Sequence, residues 1–427
     1  MTIADWGLRI EKRWGIRKSA IRNLQSEIER GFMSGPLQGV RVLDMTWALA
    51  GPFCSMLLAD LGAEVIKVEN PEGGDPSRKN FPFIKEVSSY FLSVNRGKKS
   101  ITVNLQHPKG KEIIKGLAKK SDILVENFRP GVMDRLGLGY AALREVNPGI
   151  IYACCSGFGQ TSPYANRPAY DVIVQGMGGT LSITGEAGRG PVRVGFSIGD
   201  IGAGVFTALG ILSAIHERER SGQGQMVDVS MLDCQMAFLE NAFARYFATG
   251  EIPERIGTRH PVLTPFQAYP TRDGYLVVAA ARDPSWTQFC KVIQREDLTT
   301  DPRFKDIRTR TKNHKELEKE VIEALKTKTT GEWVDLMIQA DIPCGPVNSV
   351  PQLAEDPHTL AREMIVQVQH TKAGNLRVVN NPIKLSRTPV KLEKANPELG
   401  EDTEEILTGL LGYSREEIAG LKSEKAI

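Results

Sequence analysis

The stretch GVRVLDMTWALAGPFCSMLLADLGAEVIKVE, residues 39–69, contains two short apolar runs on either side of a longer one. The short runs, residues 40–44 and 64–69, are rich in β-branched residues, as buried strands are. The segment between them has the composition of an apolar helix that closes at Gly62. The stretch therefore predicts a β-α-β unit, which joins parallel strands and places a helix over the sheet.

The same alternation recurs along the next part of the chain. KSITVNL and DILVEN are typical of strands, a helix opened by Pro108 separates them, and GIIYACC follows as a further strand. We therefore expect an α/β fold with a Rossmann-like parallel sheet. The first strand is not followed by G-x-G-x-x-G and the chain has no G-x-x-x-x-G-K-[ST], so the pattern alone is weak evidence for a dinucleotide. Ligands should still bind beyond the carboxyl ends of the strands.

Changes in composition and residue pattern divide the chain into predicted segments. Residues 1–33 are basic and loosely amphipathic, and we treat them as an N-terminal extension. A large Rossmann-like domain is expected over residues 34–230 and a linker helix over residues 231–256. A smaller α+β domain then covers residues 257–340, and residues 341–427 return to the large domain.

Composition excludes several classes of protein. Lys and Arg number 54 against 51 Asp and Glu, a balance too even for a basic nucleic-acid-binding face. The longest charge-free apolar runs, residues 45–59 and 201–215, fall short of the roughly 20 residues that span a bilayer. The six cysteines form no C-x-x-C pair, so we expect no disulfide, no metal site and a reduced, cytoplasmic setting.

One acid interrupts an otherwise uncharged stretch, VGFSIGDIGAGVFTALGILSAI, residues 194–215. Asp200 lies between a Gly-rich approach and a long apolar run. The simplest interpretation is a helix cap, because an Asp side chain accepts free backbone N–H groups and favours the positive helix end. A catalytic carboxylate is the alternative, and this stretch by itself leaves both open.

Five blocks of sequence together resemble the class III CoA-transferase family, most of all its succinyl-CoA:dicarboxylate transferases. Five separated blocks in order are a more specific signal than one short motif. The resemblance extends from about Gly35 to the C-terminus. The blocks are residues 35–78, 95–105, 122–140, 150–179 and 194–233.

The resemblance implies that Asp200 is a covalent nucleophile. Its carboxylate would attack an acyl-CoA thioester to give a mixed anhydride, and the released CoA thiolate would then form an aspartyl-CoA thioester. The substrates would be acyl-CoA and a carboxylic acid, with no permanently bound cofactor and no metal. An interlocked homodimer is also implied.

The resemblance assigns CoA-contact positions residue by residue. A cation at Arg135 and an apolar ring at Phe128 suit the phosphates and adenine of CoA, although a surface Arg and a core Phe are the plain alternatives. A half-buried Tyr170 with a capping Asp171 is likewise the plain alternative there. Lys67, Lys98 and Lys99 are expected to be solvated or loosely phosphate-facing. The assigned positions are Ala50, Arg78, Val103, Asn104, Asn127, Phe128, Arg135, Tyr170 and Asp171.

The resemblance implies an acyl-CoA:carboxylate CoA-transferase, with succinyl-CoA as donor and a dicarboxylic acid as acceptor. Arg259 and His260 are candidates to meet the acceptor's distal carboxylate, and the lack of a Gly-rich loop here argues against an oxalate-specific enzyme. The alternative is an α-methylacyl-CoA racemase, which uses His where this chain has Tyr170. A Tyr with a reference pKa of about 10 suits that proton transfer poorly. A CoA-binding protein without turnover is the third hypothesis.

Overall fold

The computed structural model describes residues 35–392 and 394–427, and these form two compact units. The first unit runs to Gly178 and adds Phe196–Phe238 and Ala361–Ile427, while the second comprises Gly179–Gly195 and Leu239–Leu360. The predicted extension, residues 1–33, lies outside the described residues.

The unit boundaries differ from the segments that we predicted. The predicted linker, residues 231–256, is divided: Met231–Phe238 packs in the first unit and Glu240–Thr249 lies in the second. The chain returns to the first unit at Ala361 and not at residue 341, because Cys344–Pro346 pairs as a strand within the second unit.

A six-stranded parallel sheet forms the centre of the first unit and confirms the predicted α/β fold. From β1 the chain moves outward through β2 to β5, then returns to β6 on the other side of β1, giving the order β5-β2-β1-β6-β7-β8. Such a reversal places a ligand crevice at the carboxyl ends of β1 and β6. The strands are β1 (Arg41–Asp44), β2 (Glu64–Glu69), the separate hairpin β3 (Phe83–Ile84) and β4 (Val87–Ser88), β5 (Lys99–Thr102), β6 (Ile123–Glu126), β7 (Ile151–Ser156) and β8 (Met226–Ser230).

Helices cover both faces of this sheet and also build the second unit. Short 3₁₀ turns lie at Pro76–Lys79 and Glu296–Thr299. In chain order the helices are α1 (Ala50–Asp60), α2 (Ser89–Asn95), α3 (Pro108–Lys119), α4 (Val132–Leu136), α5 (Tyr140–Val146), α6 (Asp171–Met177), α7 (Thr180–Ile183), α8 (Ile198–Ser221), α9 (Met231–Phe238), α10 (Glu240–Thr249), α11 (Asp283–Val292), α12 (Ile307–Lys312), α13 (His314–Leu325), α14 (Thr330–Gln339), α15 (Val350–Glu355), α16 (Pro357–Ala361), α17 (Thr403–Leu411) and α18 (Arg415–Ser423).

Alternate residues of each strand are buried on opposite faces of the sheet. Leu43 and Ile66 pack into one apolar cluster, with residues of α3, α17 and α18. Their chain neighbours Val42 and Val65 pack into another, with residues of α1 and α8. Burial on both faces explains why these strands are continuously apolar in sequence.

The helix α8 positions Asp200 and packs along α1 and against β7 and β8. By length and composition alone it also qualifies as a membrane span, although the sequence predicted none. Core helices of globular proteins pass the same test, and a Cβ on Gly204 of α8 would lie only 2.7 Å from the carbonyl oxygen of Ala50. Such close packing against α1 is typical of a core helix.

The second unit contains the α+β structure predicted for the smaller domain. Its antiparallel strands β9 (Phe266–Pro270), β10 (Tyr275–Ala279) and β11 (Cys344–Pro346) have the order β11-β10-β9. Their apolar face packs on α11, α13 and α14 through Trp286, Leu317 and Trp333. The remaining hairpin, β12 (Ile365–His370) with β13 (Gly374–Val379), belongs to the first unit.

Candidate active site

A cavity of about 770 Å³ opens at the carboxyl ends of β1, β2, β5 and β6, where the strand order predicts a ligand site. The loops that follow these strands form its wall, so all of it belongs to the first unit. The lining residues are Met45, Thr46, Trp47, Val68, Glu69, Asn70, Glu72, Gly73, Gly74, Asp75, Pro76, Lys79, Val103, Asn104, Leu105, Gln106, Phe128, Arg129, Val132 and Leu136.

Aromatic and cationic side chains share this wall. The rings of Trp47 and Phe128 contact each other with centroids 5.4 Å apart and an interplanar angle of 54°. Lys79 and Arg129 also line the cavity. An aromatic face beside two cations suits a ligand that carries both a heterocyclic base and phosphates.

Buried side chains fix the β1–α1 loop that carries Trp47. Asp44 accepts the N–H of Thr46 at 2.9 Å, and the Lys67 ammonium donates to the Thr46 carbonyl at 2.7 Å. The amide side chain of Asn127 accepts from the Trp47 N–H at 2.9 Å and donates to the Trp47 carbonyl at 2.8 Å. Asn127 therefore bonds the loop that forms the cavity wall, and is not itself among the residues lining the cavity.

Three buried acids beneath the loop each face a cation. Burial by itself raises the pKa of Asp44, but Lys98 and Lys67 outweigh it and lower that pKa to about 2. The side chains of both lysines are fully buried, which corrects the expectation that they are solvated. The pairs are Asp44–Lys98 at 2.9 Å, Asp75–Lys67 at 2.9 Å and Glu69–Arg78 at 2.7 Å.

A fourth buried acid, Glu126 at the end of β6, has different surroundings. Its Oε2 accepts the N–H of Phe128 at 2.7 Å, and the thiol of Cys154 on β7 lies beside it. Burial raises its pKa to about 7, because Cys154 and the Phe128 N–H lower it too little, while Asp134 and Asp228 raise it further. We call the four buried acids Asp44, Glu69, Asp75 and Glu126 the cavity floor. Among these four, Glu126 is the one whose pKa lies near neutrality.

Asp200 is half-buried in the first turn of α8, as its third residue. One turn later on the same face, Gly204 lies against Ala50, so this face of α8 turns toward the start of α1. The N–H of Gly199 is accepted by Asp171 at 2.9 Å, and Asp171 also accepts from Gln175 at 2.8 Å. Asp171 therefore caps one of the free N–H groups in the first turn of α8.

The charges of Asp200 and of the cavity-lining residue Asp75 both act on Tyr90 of α2. It is half-buried, and burial, followed by the charges of Asp200, Asp75 and Asp171, raises the pKa of its hydroxyl. Asp75 lines the cavity and Asp200 lies in the first turn of α8, so charges from both regions influence the Tyr90 hydroxyl. No motif marks Tyr90 in the sequence, and we did not single it out.

The cavity brings together three of the predicted CoA-contact residues, Val103, Asn104 and Phe128. Lys79 and Arg129 also line the cavity but were not predicted to do so. Arg129 follows Phe128 directly in ENFRPG, and this position next to a predicted contact could have indicated it.

The remaining predicted contacts lie elsewhere in the first unit. Ala50 is buried at the start of α1, Arg135 is exposed on α4, and the side chain of Tyr170 is exposed just before α6. The Arg78 guanidinium donates twice to Glu69 and also to the Pro397 carbonyl. Arg78 thus uses N–H groups for these protein acceptors that we had expected to bind a phosphate of CoA.

In the second unit, Arg259 and His260 follow the turn at Gly257. The His260 Nδ1 accepts the N–H groups of Val262 and Leu263 at 3.2 and 3.1 Å, which leaves the ring proton on Nε2. Its pKa is lowered by burial and by the positive charges of Arg245 and Arg259. Two guanidinium groups thus act electrostatically on an imidazole that carries a proton on Nε2, and donors of these types suit a carboxylate.

Comparison with known proteins identifies the family. Residues 37–403 match the sequence profile of CoA-transferase family III. The acetyl-CoA:oxalate CoA-transferase of Acetobacter aceti is 43% identical over 82% of this chain and 90% of its own length. The succinyl-CoA:glutarate CoA-transferase of Mus musculus is 38% identical over 88% and 87%. A CAIB/BAIF family protein from Brucella suis superimposes with a TM-score of 0.81 at 34% identity, over 88% of this chain and 100% of that one. The chain therefore belongs to CoA-transferase family III.

Proposed function

We propose that this CoA-transferase moves CoA from succinyl-CoA to a dicarboxylic acid, with Asp200 as the nucleophile. The observation that carries the proposal is the position of Asp200 on the face of α8 that turns toward α1, next to the loop that lines the cavity. Burial and then the charges of Asp200 and the cavity-lining Asp75 raise the pKa of Tyr90, which supports a position of Asp200 near the cavity.

The cavity at the sheet edge suits the nucleotide end of CoA. Adenine would lie on the Trp47 and Phe128 rings, which supply a rigid apolar face. Lys79 and Arg129 would meet the phosphates, and the loop at Val103 and Asn104 would close the cavity beside β5. The pantetheine arm would then extend toward the first turn of α8.

The proposed reaction exchanges acyl bonds on Asp200 without an external proton donor. The Asp200 carboxylate attacks the thioester carbonyl, the C–S bond breaks, and a mixed anhydride and CoA thiolate form. The thiolate attacks the aspartyl carbonyl, which releases the donor acid and leaves aspartyl-CoA. The acceptor carboxylate attacks that thioester, its C–S bond breaks, and a second mixed anhydride and CoA thiolate form. The thiolate then attacks the acceptor's acyl carbon, which gives the new acyl-CoA and releases the Asp200 carboxylate.

Local contacts support this role for Asp200. Asp171 holds the Gly199 N–H and so fixes the first turn from which Asp200 projects. The helix end favours a negative charge there, and the neutral Tyr90 hydroxyl can donate a hydrogen bond to a developing oxyanion. We propose that Asp171 orients Asp200 and that Tyr90 stabilises the tetrahedral intermediates.

The acceptor is proposed from the chemistry of the second unit. Burial and the positive charges of Arg245 and Arg259 lower the pKa of His260, and burial and Arg245 lower the pKa of Arg259. A bound carboxylate would offset this repulsion and accept hydrogen bonds from these side chains. Glu318 also acts on Arg259, but its Oε1 accepts from Gln267 at 2.8 Å. The two named relatives act with oxalate and glutarate, so oxalate belongs in the acceptor panel despite the missing Gly-rich loop.

We propose further that the chain forms an interlocked homodimer in the cytoplasm. Val205 and Leu209 of α8 are 46% and 56% exposed, and Phe247 of α10 is 76% exposed. Apolar side chains of this size on long helices are typical of a subunit interface. Light scattering on the purified protein should give twice the chain mass, and a monomer at micromolar concentration would contradict the proposal.

The test of function is to incubate the protein with succinyl-CoA and a panel of mono- and dicarboxylic acids, and to identify new thioesters by mass spectrometry. Asp200→Ala should lower turnover at least about 10³-fold, because no other group replaces the nucleophile. Glu219→Gln, an exposed substitution on the same helix, should leave turnover unchanged. Undiminished turnover in Asp200→Ala would refute the role of Asp200.

The same preparation separates the other hypotheses. A racemase would incorporate deuterium at the α-carbon of an acyl-CoA in heavy water without an acceptor acid. A CoA-binding protein would bind CoA but exchange no labelled CoA between thioesters. A transferase should incorporate no deuterium, should exchange labelled CoA, and should form aspartyl-CoA, detectable as a CoA adduct on the peptide that contains Asp200.

A further inference from the structure

The buried carboxylate of Glu126 has no part in the reaction described above, yet it lies directly beneath the cavity wall. Glu126 is 4% exposed, and its Oε2 holds the N–H of Phe128 at 2.7 Å. The Phe128 ring lines the cavity and contacts Trp47. A change in the charge of Glu126 therefore affects the backbone of Phe128, whose ring belongs to the face assigned to CoA.

The groups that face Glu126 supply no positive charge. Within residues 35–392 and 394–427, Glu126 forms no ion pair with Lys or Arg, unlike the three other buried acids of the cavity floor. The neighbouring strand β1 presents Asp44, whose charge Lys98 already balances. The facing titratable groups are Cys154 and Tyr152 of β7, Asp134 of α4 and Asp228 of β8, and the buried Tyr152 hydroxyl has no hydrogen-bond partner.

These surroundings leave Glu126 partly protonated at neutral pH, since burial is the dominant influence and raises its pKa to about 7. The phosphates of CoA would bring several negative charges into the cavity. Added negative charge favours the neutral form of a carboxyl group, so an occupied cavity holds the Glu126 proton more tightly. By linkage, protein that carries this proton must bind CoA more tightly by the same factor.

We propose that Glu126 takes up a proton when CoA binds, and that CoA affinity consequently falls as the pH rises through neutrality. The proton passes from solvent to a carboxylate oxygen of Glu126, and no bond of CoA changes. The inference rests on the proposed assignment of the cavity to CoA, but not on the role of Asp200. Its consequence is that binding of the substrate is itself sensitive to pH.

The test is calorimetric titration of the full-length protein with CoA at pH 7, in two buffers of different ionisation enthalpy. The wild-type protein should take up a fraction of a proton for each CoA bound, and Glu126→Gln should take up less. The 3′-phosphate of CoA itself titrates in this range, so dephospho-CoA serves as the second ligand. The Kd of dephospho-CoA should rise several-fold between pH 6 and pH 8.5 in the wild-type protein. The rise is at most about tenfold for each unit by which ligand binding raises the pKa of Glu126. The Kd should stay flat in Glu126→Gln.

Two further variants keep the test independent of how well Glu126→Gln folds. Asp134 is exposed and its charge raises the Glu126 pKa, so Asp134→Asn should shift the inflection of Kd to lower pH. Glu72→Gln, an exposed neutralisation on the cavity wall, should tighten CoA at both pH values and leave proton uptake unchanged.

The outcomes separate the two proposals. Equal proton uptake and an equal pH slope in wild type and Glu126→Gln would overturn the role of Glu126 while the cavity assignment stands. An unshifted inflection in Asp134→Asn would count against it as well. Absence of CoA binding by the wild-type protein at any pH would overturn both the cavity assignment and this inference.

Discussion

The β1–β2 side and the β6–β7 side of the cavity floor bury carboxylates in different ways. On the first side each buried acid faces a cation, as Asp44 faces Lys98 at 2.9 Å, and its pKa is held low. On the second side Glu126 faces a thiol and further acids, and its pKa rises to about 7. One sheet edge thus combines a fixed set of charges, which holds the β1–α1 loop, with a wall whose charge changes near neutrality.

The largest effect that would test this contrast is expected from Lys98→Met. The substitution leaves Asp44 buried without its closest cation, so we expect a loss of about 3–5 kcal/mol in the free energy of unfolding. Urea denaturation at pH 7 measures it. Lys99→Met is the matched control, because Lys99 forms surface pairs with Glu64 and Glu405 and should contribute about 1 kcal/mol or less. Similar losses in the two variants would contradict the contrast between buried and surface pairs.

A smaller effect of opposite sign is expected from Glu126→Gln. The pKa of Glu126 rises from the model-peptide value of 4.5 in the unfolded chain to about 7 in the folded one. Its favourable contribution to stability is therefore full below pH 4.5 and is lost as the pH rises through 7. At pH 8.5 the variant should be more stable than wild type by about 2 kcal/mol, within an upper bound of roughly 3 from the size of the shift.

The same variant should match wild type within about 0.5 kcal/mol at pH 5, where most of the Glu126 population is protonated in the folded protein. Denaturation curves at the two pH values give both numbers. A difference that is independent of pH would show that packing, and not the charge of Glu126, separates the two proteins.

The smallest effects concern the two rings that meet across the cavity wall. On the β1–β2 side, Asp44 and Lys67 fix the backbone of Thr46, next to Trp47. On the β6–β7 side, Glu126 accepts the N–H of Phe128. Trp47→Leu and Phe128→Leu should each weaken CoA binding by about 1 kcal/mol, near fivefold, through lost stacking. The double variant should show coupling of about 0.5 kcal/mol, because the rings contact each other. Unchanged Kd values in both single variants would place adenine elsewhere.

The sequence predicted the sheet well because its signal is local. Residues such as Val42 and Leu43 alternate between two buried faces, and the apolar runs that result mark parallel strands without any knowledge of distant contacts. Val103, Asn104 and Phe128 were assigned through the family resemblance, and the structure places each of them after a strand, at the edge where the carboxyl ends of the parallel strands meet. The sheet thus follows from the pattern of residues within short windows, whereas the site residues required the resemblance over the whole chain.

Charged residues were predicted less well because their partners are distant in sequence or hidden in the core. Arg78 has the appearance of a phosphate ligand, but Glu69 and the Pro397 carbonyl, 319 positions away, occupy its guanidinium. Lys67 and Lys98, which we expected to be solvated, are instead buried with acids. Tyr90 gains its interest only from the approach of Asp200 and Asp75, which the sequence separates widely. Tertiary contacts alone reveal these roles.

The outer edge of β5 is closed by the last part of the chain. The Ser100 N–H bonds the Asp402 side chain, 302 positions later, and the Asn104 N–H bonds the Ala426 carbonyl. During synthesis this strand is therefore made long before the segment that covers it. A growing chain presents an open strand edge, which is the kind of surface that pairs with other chains. Removal of the segment that holds Asp402 and Ala426 would therefore expose this edge of the sheet to pairing with other chains.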